Sequence, residues 1–301
     1  MSWITLALFS AAILAASNLL DKTIVHRYVA TPLTLPLMVG IVHTALGFVI
    51  LAVIGVPQSA TLSATLFALT SGFLIGLGGL MWILVMYRQE ISRVIPVTQT
   101  SPIFAAILAV LFLGESMSGL QWVAVIATVS GAIAISVKIG ENYRSIFIQP
   151  SFFILILAAI IAATANVIGK VALNELPILY THGLRAIGLG VLFLAVGIRH
   201  SPIANVYGLI RTRSPAILLF GINDFIIANT GLLLLLWALS EGPASLVLAL
   251  AGTRAMFVVL FSTSIALVWK GALGEDTSRR TITIKVGAVV AIVLGVAGVS
   301  I

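Results

Sequence analysis

Apolar runs of about twenty residues, the length an α-helix needs to cross the hydrocarbon core of a bilayer, constrain this chain more than any other feature. Ten can be bounded by charge, proline or polar clusters: Trp3–Leu20, Leu35–Ile54, Leu62–Tyr87, Val94–Leu113, Leu120–Val137, Phe152–Ile168, Ile178–Ile198, Pro215–Leu239, Pro243–Trp269 and Val286–Ile301. With 60% of its 301 residues hydrophobic and only 8% charged, the chain cannot present a water-soluble surface. The expected fold is all-α and integral to the membrane, with ten transmembrane helices. The amphipathic connection HSPIANVYGLIRTRSP between the seventh and eighth runs is expected to lie along the membrane surface. The first run, MSWITLALFSAAILAASNLL, has no basic segment ahead of it and no small-residue cleavage site after it, and reads as a retained span.

Charge sets the expected orientation, because lysine and arginine in short loops resist translocation. Thirteen of the sixteen basic residues lie in or beside the loops joining spans one to two, three to four, five to six, seven to eight and nine to ten. Lys170 alone falls at a loop on the other face, while Arg185 and Arg254 fall within spans. The five basic loops are therefore expected in the cytoplasm of an inner- or plasma-membrane protein, with both termini outside. The formal net charge of +7 then reflects orientation, and a nucleic-acid partner is not expected. Cysteine is absent, which excludes disulfides and thiolate metal sites, and the four histidines are too scattered for a spaced metal motif.

The sequence repeats itself in two halves. Ala15–Lys22 reads AASNLLDK and Ala163–Lys170 reads ATANVIGK, placing Asn18 opposite Asn166. Gly40 and Gly47 match Gly183 and Gly190. ISRVIPVTQTSPIF, Ile91–Phe104, aligns with ASLVLALAGTRAMF, Ala244–Phe257, pairing Thr100 with Thr253, Ser101 with Arg254 and Phe104 with Phe257. LGE at Leu113–Glu115 recurs at Leu273–Glu275. Five spans per half is an odd number, so the halves, 1–145 and 150–301, are expected to insert in opposite directions as an inverted-topology pair.

The five-plus-five arrangement and the run RVIPVTQTSPIFAAILAVLFLGESMSGLQWVAVIATVSGAIAIS, Arg93–Ser136, resemble the EamA branch of the drug/metabolite transporter superfamily. The resemblance implies a pseudo-symmetric bundle of two EamA-like repeats around a central cavity lined mainly by spans one, three, four, six, eight and nine, and the transport of metabolites. Relatives in that family usually place both termini in the cytoplasm, whereas the basic loops here point the other way.

Ionisable residues at mid-membrane are costly and so mark either function or a structural ion pair. Asp224 in span eight and Arg254 in span nine lie at depths about one helical turn apart, close enough for an ion pair or a shared solute site. Arg254 would favour an anionic or zwitterionic solute through paired hydrogen bonds to carboxylate or phosphate. Asp224, taken as the only acidic residue deep in a span, is the expected proton-coupling group. Arg185, nearer a span end, is expected to snorkel to the interface. Asn18, Asn166 and Asn229 either line the cavity or hydrogen-bond a neighbouring helix. Thr98, Gln99 and Thr100 precede Pro102, which frees a carbonyl and bends span four; Thr253 is the counterpart of Thr100. Gly72, Gly76, Gly78 and Gly79 are expected to admit close helix approach. Trp82 and Trp237 read as stacking or interface residues, and Glu115 and Glu275 as groups that cap helix entrances.

No Gly-rich loop followed by lysine and serine or threonine is present, so nothing calls for a nucleotide or another cofactor. The expected activity is secondary transport of a small metabolite by alternating access, coupled to a proton or ion gradient. The alternatives are a membrane protein of this fold with a structural or regulatory role, and an integral-membrane enzyme. The enzyme would need a nucleophile with a base, a metal cluster or paired carboxylates near one face, and no catalytic or metal-binding constellation emerges.

Overall fold

Each long apolar run becomes a helix because a backbone without water must satisfy its own hydrogen bonds within the segment. The computed structural model describes residues 2–86, 97–98, 100–136, 150–268, 287, 290–292 and 294–295. Its helices are α1 (Trp3–Tyr28), α2 (Thr34–Ile54), α3 (Leu62–Met86), α4 (Ser101–Leu113), α5 (Gly119–Ser136), α6 (Pro150–Leu173) and α7 (Ile178–Gly197), followed by α8 (His200–Arg211) and α9 (Pro215–Gly221). A π-helical segment (Ile222–Ala228) then leads into α10 (Asn229–Glu241), α11 (Ala244–Ala251) and α12 (Arg254–Val268). Among the described residues, seven helical stretches are long and apolar enough to cross a membrane, and α4 and α5 supply two shorter apolar ones. The chain is a multi-pass membrane protein. The tenth expected span, Val286–Ile301, and the start of the fourth lie largely outside the described residues.

Local chemistry places the ends. The Ser2 hydroxyl accepts from the Thr5 amide at 3.3 Å to open α1, and the Ser214 hydroxyl accepts from the Ala216 amide with Pro215 in the first turn of α9. Gly55 ends α2 and Gly114 ends α4 at φ of 71° and 66°, a region glycine enters without steric cost. The connection after α7 folds as α8, whose Ile203, Tyr207 and Ile210 form an exposed stripe at helical spacing opposite the buried Pro202.

The bundle turns its apolar side chains outward. Phe48, Val53, Leu111, Phe112 and Leu218 are all more than half exposed, as a lipid-facing surface requires, while alanines fill many of the internal contacts. α2 lies along α7, α3 packs on both α6 and α7, α4 packs on α6 and α11, and α1 runs against α10, α11 and α12. Glycines set the closest approaches. A Cβ at Gly72 would stand 2.6 Å from the Arg185 Cα, and one at Gly47 would stand 2.6 Å from the Gly183 carbonyl oxygen. Gly76 and Gly78 approach Leu189 and Ala158 less tightly, at 3.3 and 3.1 Å from their carbonyl oxygens. Gly79 departs from expectation, since a Cβ there would make only an ordinary contact, 3.6 Å from the Phe193 ring.

Two of the sequence-based spans change shape. α1 continues eight residues past Leu20 to Tyr28, so Asp21 lies within the helix and not at its edge. Span nine is discontinuous: α11 stops at Ala251, Gly252 and Thr253 form a turn, and α12 restarts at Arg254.

Candidate functional site

Two tight turns lie side by side, one within span nine and one leading into α4. In span nine the Thr253 amide bonds the Leu250 carbonyl at 3.0 Å and its hydroxyl donates to the same carbonyl at 2.7 Å. In span four the Thr100 amide bonds the Val97 carbonyl at 3.2 Å and its hydroxyl donates there at 2.7 Å. Each threonine thus closes a tight three-residue turn, which in span nine interrupts the regular ladder of bonds four residues apart and in span four leads into α4. The turns are neighbours, because a Cβ on Gly252 would lie 3.3 Å from the Pro102 Cγ. Ser101, just past the first turn, donates to the Ala159 carbonyl at 3.1 Å and ties α4 to α6. Arg254, just past the second, is half-buried, and its Nε is buried without a hydrogen-bond partner.

A second polar constellation runs through the helices on the other side of α1. His43 of α2 and Asp224 of the π-helical segment meet at 3.3 Å between Nδ1 and Oδ2, both almost fully buried. His43 Nδ1 also faces the Val39 carbonyl at 3.2 Å. Asn223, fully buried, donates from Nδ2 to Asp21 Oδ1 at 2.8 Å. The Asn229 side chain donates from Nδ2 back to the Asp224 carbonyl, bracing the wide turn of the π-helical segment from outside its backbone ladder. His182 of α7 faces the Asn229 amide, and one turn on, Arg185 donates from Nη2 to Asn166 Oδ1 at 2.9 Å. Groups from α1, α2, the π-helical segment, α10, α7 and α6 therefore share one buried polar seam.

Polar ties close one end of the bundle. The Glu115 carboxylate accepts from the amides of Ala244 and Ser245 at 2.6 and 3.0 Å and from the Ser245 hydroxyl at 2.6 Å, capping α11 from the opposite half of the chain. Lys170 Nζ donates to the Leu239 carbonyl and, at 3.0 Å, to that of Gly242, completing the end of α10. Trp3 packs over Gly242, and Thr61 donates to Glu175.

Residues 1–137 match the EamA-like transporter family. The match covers the first five expected spans and bears out the family resemblance read from Arg93–Ser136. No curated protein matches the chain. A solved structure described only as "Crystal structure of protein" superposes with a TM-score of 0.70 over 98% of this chain and 95% of its own, at 16% identity, which shows a shared fold.

The residues singled out from sequence divide between two places. Thr100, Thr253 and Arg254 gather at the two turns. Asp224, Asn229 and Asn166 belong to the polar seam. Asn18 sits half-buried on α1, and Gln99 and Glu275 lie outside the described residues. The allowed contact between Asp224 and Arg254 is not made: among the described residues the charged partner of Asp224 is His43. Arg185 does not snorkel, being 6% exposed and directed inward to Asn166.

Sequence reasoning missed Asp21, His43, His182 and Asn223. Asp21 was masked by the adjacent Lys22, which made the pair look like a loop edge. His43 and His182 were legible as ionisable residues inside apolar runs, the signal that selected Asp224. Trp82 packs among Val85, Val97 and Leu155, whereas Trp237 is 44% exposed, as an interface anchor would be.

Proposed function

We propose that this EamA-like protein is a secondary transporter that moves a small anionic or zwitterionic metabolite by alternating access, and that its ten helices form two inverted five-helix repeats, 1–145 and 150–301. The observation that carries the reading is the pair of matching threonine turns. The sequence repeat pairs Thr100 with Thr253, and these two residues make the same two bonds to the carbonyl three positions back, on helices that touch at Pro102 and Gly252. Discontinuous helices crossing at mid-bundle are where such transporters bind solute, because the interruptions expose backbone groups and polar side chains to a cavity.

Packing supports the two-fold relation. Repeat-equivalent Gly40 and Gly183, and Gly47 and Gly190, meet crosswise: a Cβ on Gly40 would lie 3.2 Å from the Gly190 carbonyl, and one on Gly47 would lie 2.6 Å from that of Gly183. The contact of α3 with α6 recurs as the contact of span eight with α1, and that of α4 with α6 recurs as that of span nine with α1. One correspondence is uneven, since α3 lies tightly on α7 while span eight touches α2 only lightly. An exchange of those two arrangements between halves is the change alternating access needs.

Arg254 is the expected solute contact. Its half-buried guanidinium has no carboxylate partner among the described residues, so an anionic group entering beside the turns would supply the missing counter-charge. The ties at Glu115, Lys170 and Thr61 close the face opposite the basic loops, and the charge bias assigns that face, with both termini, to the outside.

The test is release of an organic-acid and amino-acid pool from proteoliposomes containing the full chain or Arg254→Ala. Saturable release of anions by the full chain, reduced at least tenfold in the variant, is expected. Equal anion release by both removes the anionic assignment, and no release of any solute by either removes the transporter reading. A reporter fused at Ile301 should be accessible from outside the cell.

A further inference from the structure

We infer that Asp21, His43 and Asp224 form a single proton site that holds one exchangeable proton in this arrangement, and that its release and uptake are coupled to solute movement. The coupling rests on the transporter reading; the proton site stands on the geometry of the seam itself.

Three ionisable groups from three different segments converge where water is scarce. His43 Nδ1 lies 3.3 Å from Asp224 Oδ2, and Asn223, adjacent to Asp224, binds Asp21 at 2.8 Å. Among the described side chains, the charged and titratable groups on the elements packed against them include His182 and Arg185 of α7, the latter bonded to Asn166 of α6, and Arg254 of α12, which packs on α1. With both carboxyls ionised and His43 neutral, two negative charges would lie buried within electrostatic reach of each other. Like charges buried together are strongly disfavoured, and one shared proton relieves that repulsion.

The vacant valences are where such a proton would go. His43 Nε2 is buried with no hydrogen-bond partner, as are the side-chain oxygens of the flanking Asn223 and Asn229, and Asp224 Oδ2 meets only His43 Nδ1. A purely structural network would satisfy these atoms, because each unpaired buried polar group weakens the fold. A bound metal cation fits less well: among the described residues no three acidic or histidine side chains converge as metal ligands do. The proton can rest on the Asp224 carboxyl or on the His43 ring, and leaves to water when the seam opens.

The π-helical segment supplies the mechanical link. It holds one residue more than an α-turn, so conversion to regular helix rotates Asp224 by about 100° relative to α10. Asp224 would then leave His43, and the Asn229 bond to its carbonyl would break. Occupancy of the proton site thereby biases two arrangements of span eight.

The experiment has two arms on the full chain in liposomes. Infrared difference spectra across about pH 5 to 9 should show a protonated-carboxyl band that titrates in the wild type and is lost or displaced in Asp21→Asn and Asp224→Asn. In His43→Gln its midpoint should move. Absence of a titrating band, or a band indifferent to all three substitutions, overturns the site. In the second arm, accumulation of the same organic-acid and amino-acid pool is measured with the membrane potential clamped at zero. One proton per solute predicts an accumulation ratio that changes about tenfold per unit of imposed pH gradient. Asp224→Asn and His43→Gln should abolish that response while keeping downhill movement, which also shows that they fold. Wild-type downhill transport indifferent to pH, or driven instead by a sodium gradient, overturns the coupling and leaves the transporter reading intact. No downhill transport at all overturns both the coupling and the transporter reading, and the infrared arm then decides the proton site alone.

Discussion

Replacing Gly72 with alanine should destabilise the protein by forcing α3 and α7 apart. The added Cβ would stand 2.6 Å from the Arg185 Cα and closer still to the Arg185 carbonyl oxygen. Non-bonded carbons rest at about 3.5–4.0 Å, so the two backbones must part by about 1 Å. Neither clashing atom is a movable side-chain tip, and a gap of that size forfeits about a quarter to a half of each dispersion contact along the interface. Overpacking of this kind costs about 1–3 kcal/mol, offset by the higher helix propensity of alanine, about 1 kcal/mol. A net loss of up to about 2 kcal/mol follows. Gly188→Ala should behave alike, because its Cβ would meet the Leu69 carbonyl and lie 2.9 Å from the Phe73 amide nitrogen on the other side of the same contact. Gly79→Ala is the control: its Cβ would have only the Phe193 ring nearby, at 3.6 Å, so propensity alone acts and stability is unchanged or raised. Denaturant unfolding in a fixed detergent, followed by helical circular dichroism, measures all three. If Gly72→Ala unfolds no earlier than Gly79→Ala, the direct backbone contact between α3 and α7 is wrong.

Three further outcomes are expected. Glu115→Ala should lower stability by about 2 kcal/mol in the same unfolding assay, because three donors at the start of α11 lose their acceptor, with Glu115→Gln recovering part of it. Lys170→Met should loosen the end of α10, seen as faster amide hydrogen exchange from Leu239 to Ser245, while Lys170→Arg keeps most of the protection. Arg185→Met leaves the Asn166 side-chain oxygen without its charged donor and should lower stability by about 1–3 kcal/mol in the same unfolding assay.

The number of apolar runs, their approximate limits, the glycine matches and the threonine matches are all legible in the sequence, because a bilayer imposes one length and one composition on every span. The interface roles of Gly72, Gly76 and Gly78 could be anticipated for a related reason: among apolar helices only small residues permit backbone contact. The cap at Glu115 could be anticipated as a type of interaction but not as a partner, since it reaches Ala244 and Ser245 more than 120 residues away. Asp21 was read as a loop-edge residue because hydropathy falls at Asp21 and Lys22, although α1 continues to Tyr28.

What the sequence by itself determined is the membrane and the helical class, which follow from solvent and composition. Only the tertiary structure decided which ionisable groups meet. Depth along a span can be counted at 1.5 Å per residue, and that count allowed Asp224 to face Arg254. The azimuth of a side chain depends on how its helix is wound and packed, and the π-helical segment at Ile222–Ala228 and the turn at Gly252–Thr253 alter both. Asp224 therefore meets His43 and Arg185 turns inward to Asn166, pairings that no one-dimensional pattern encodes.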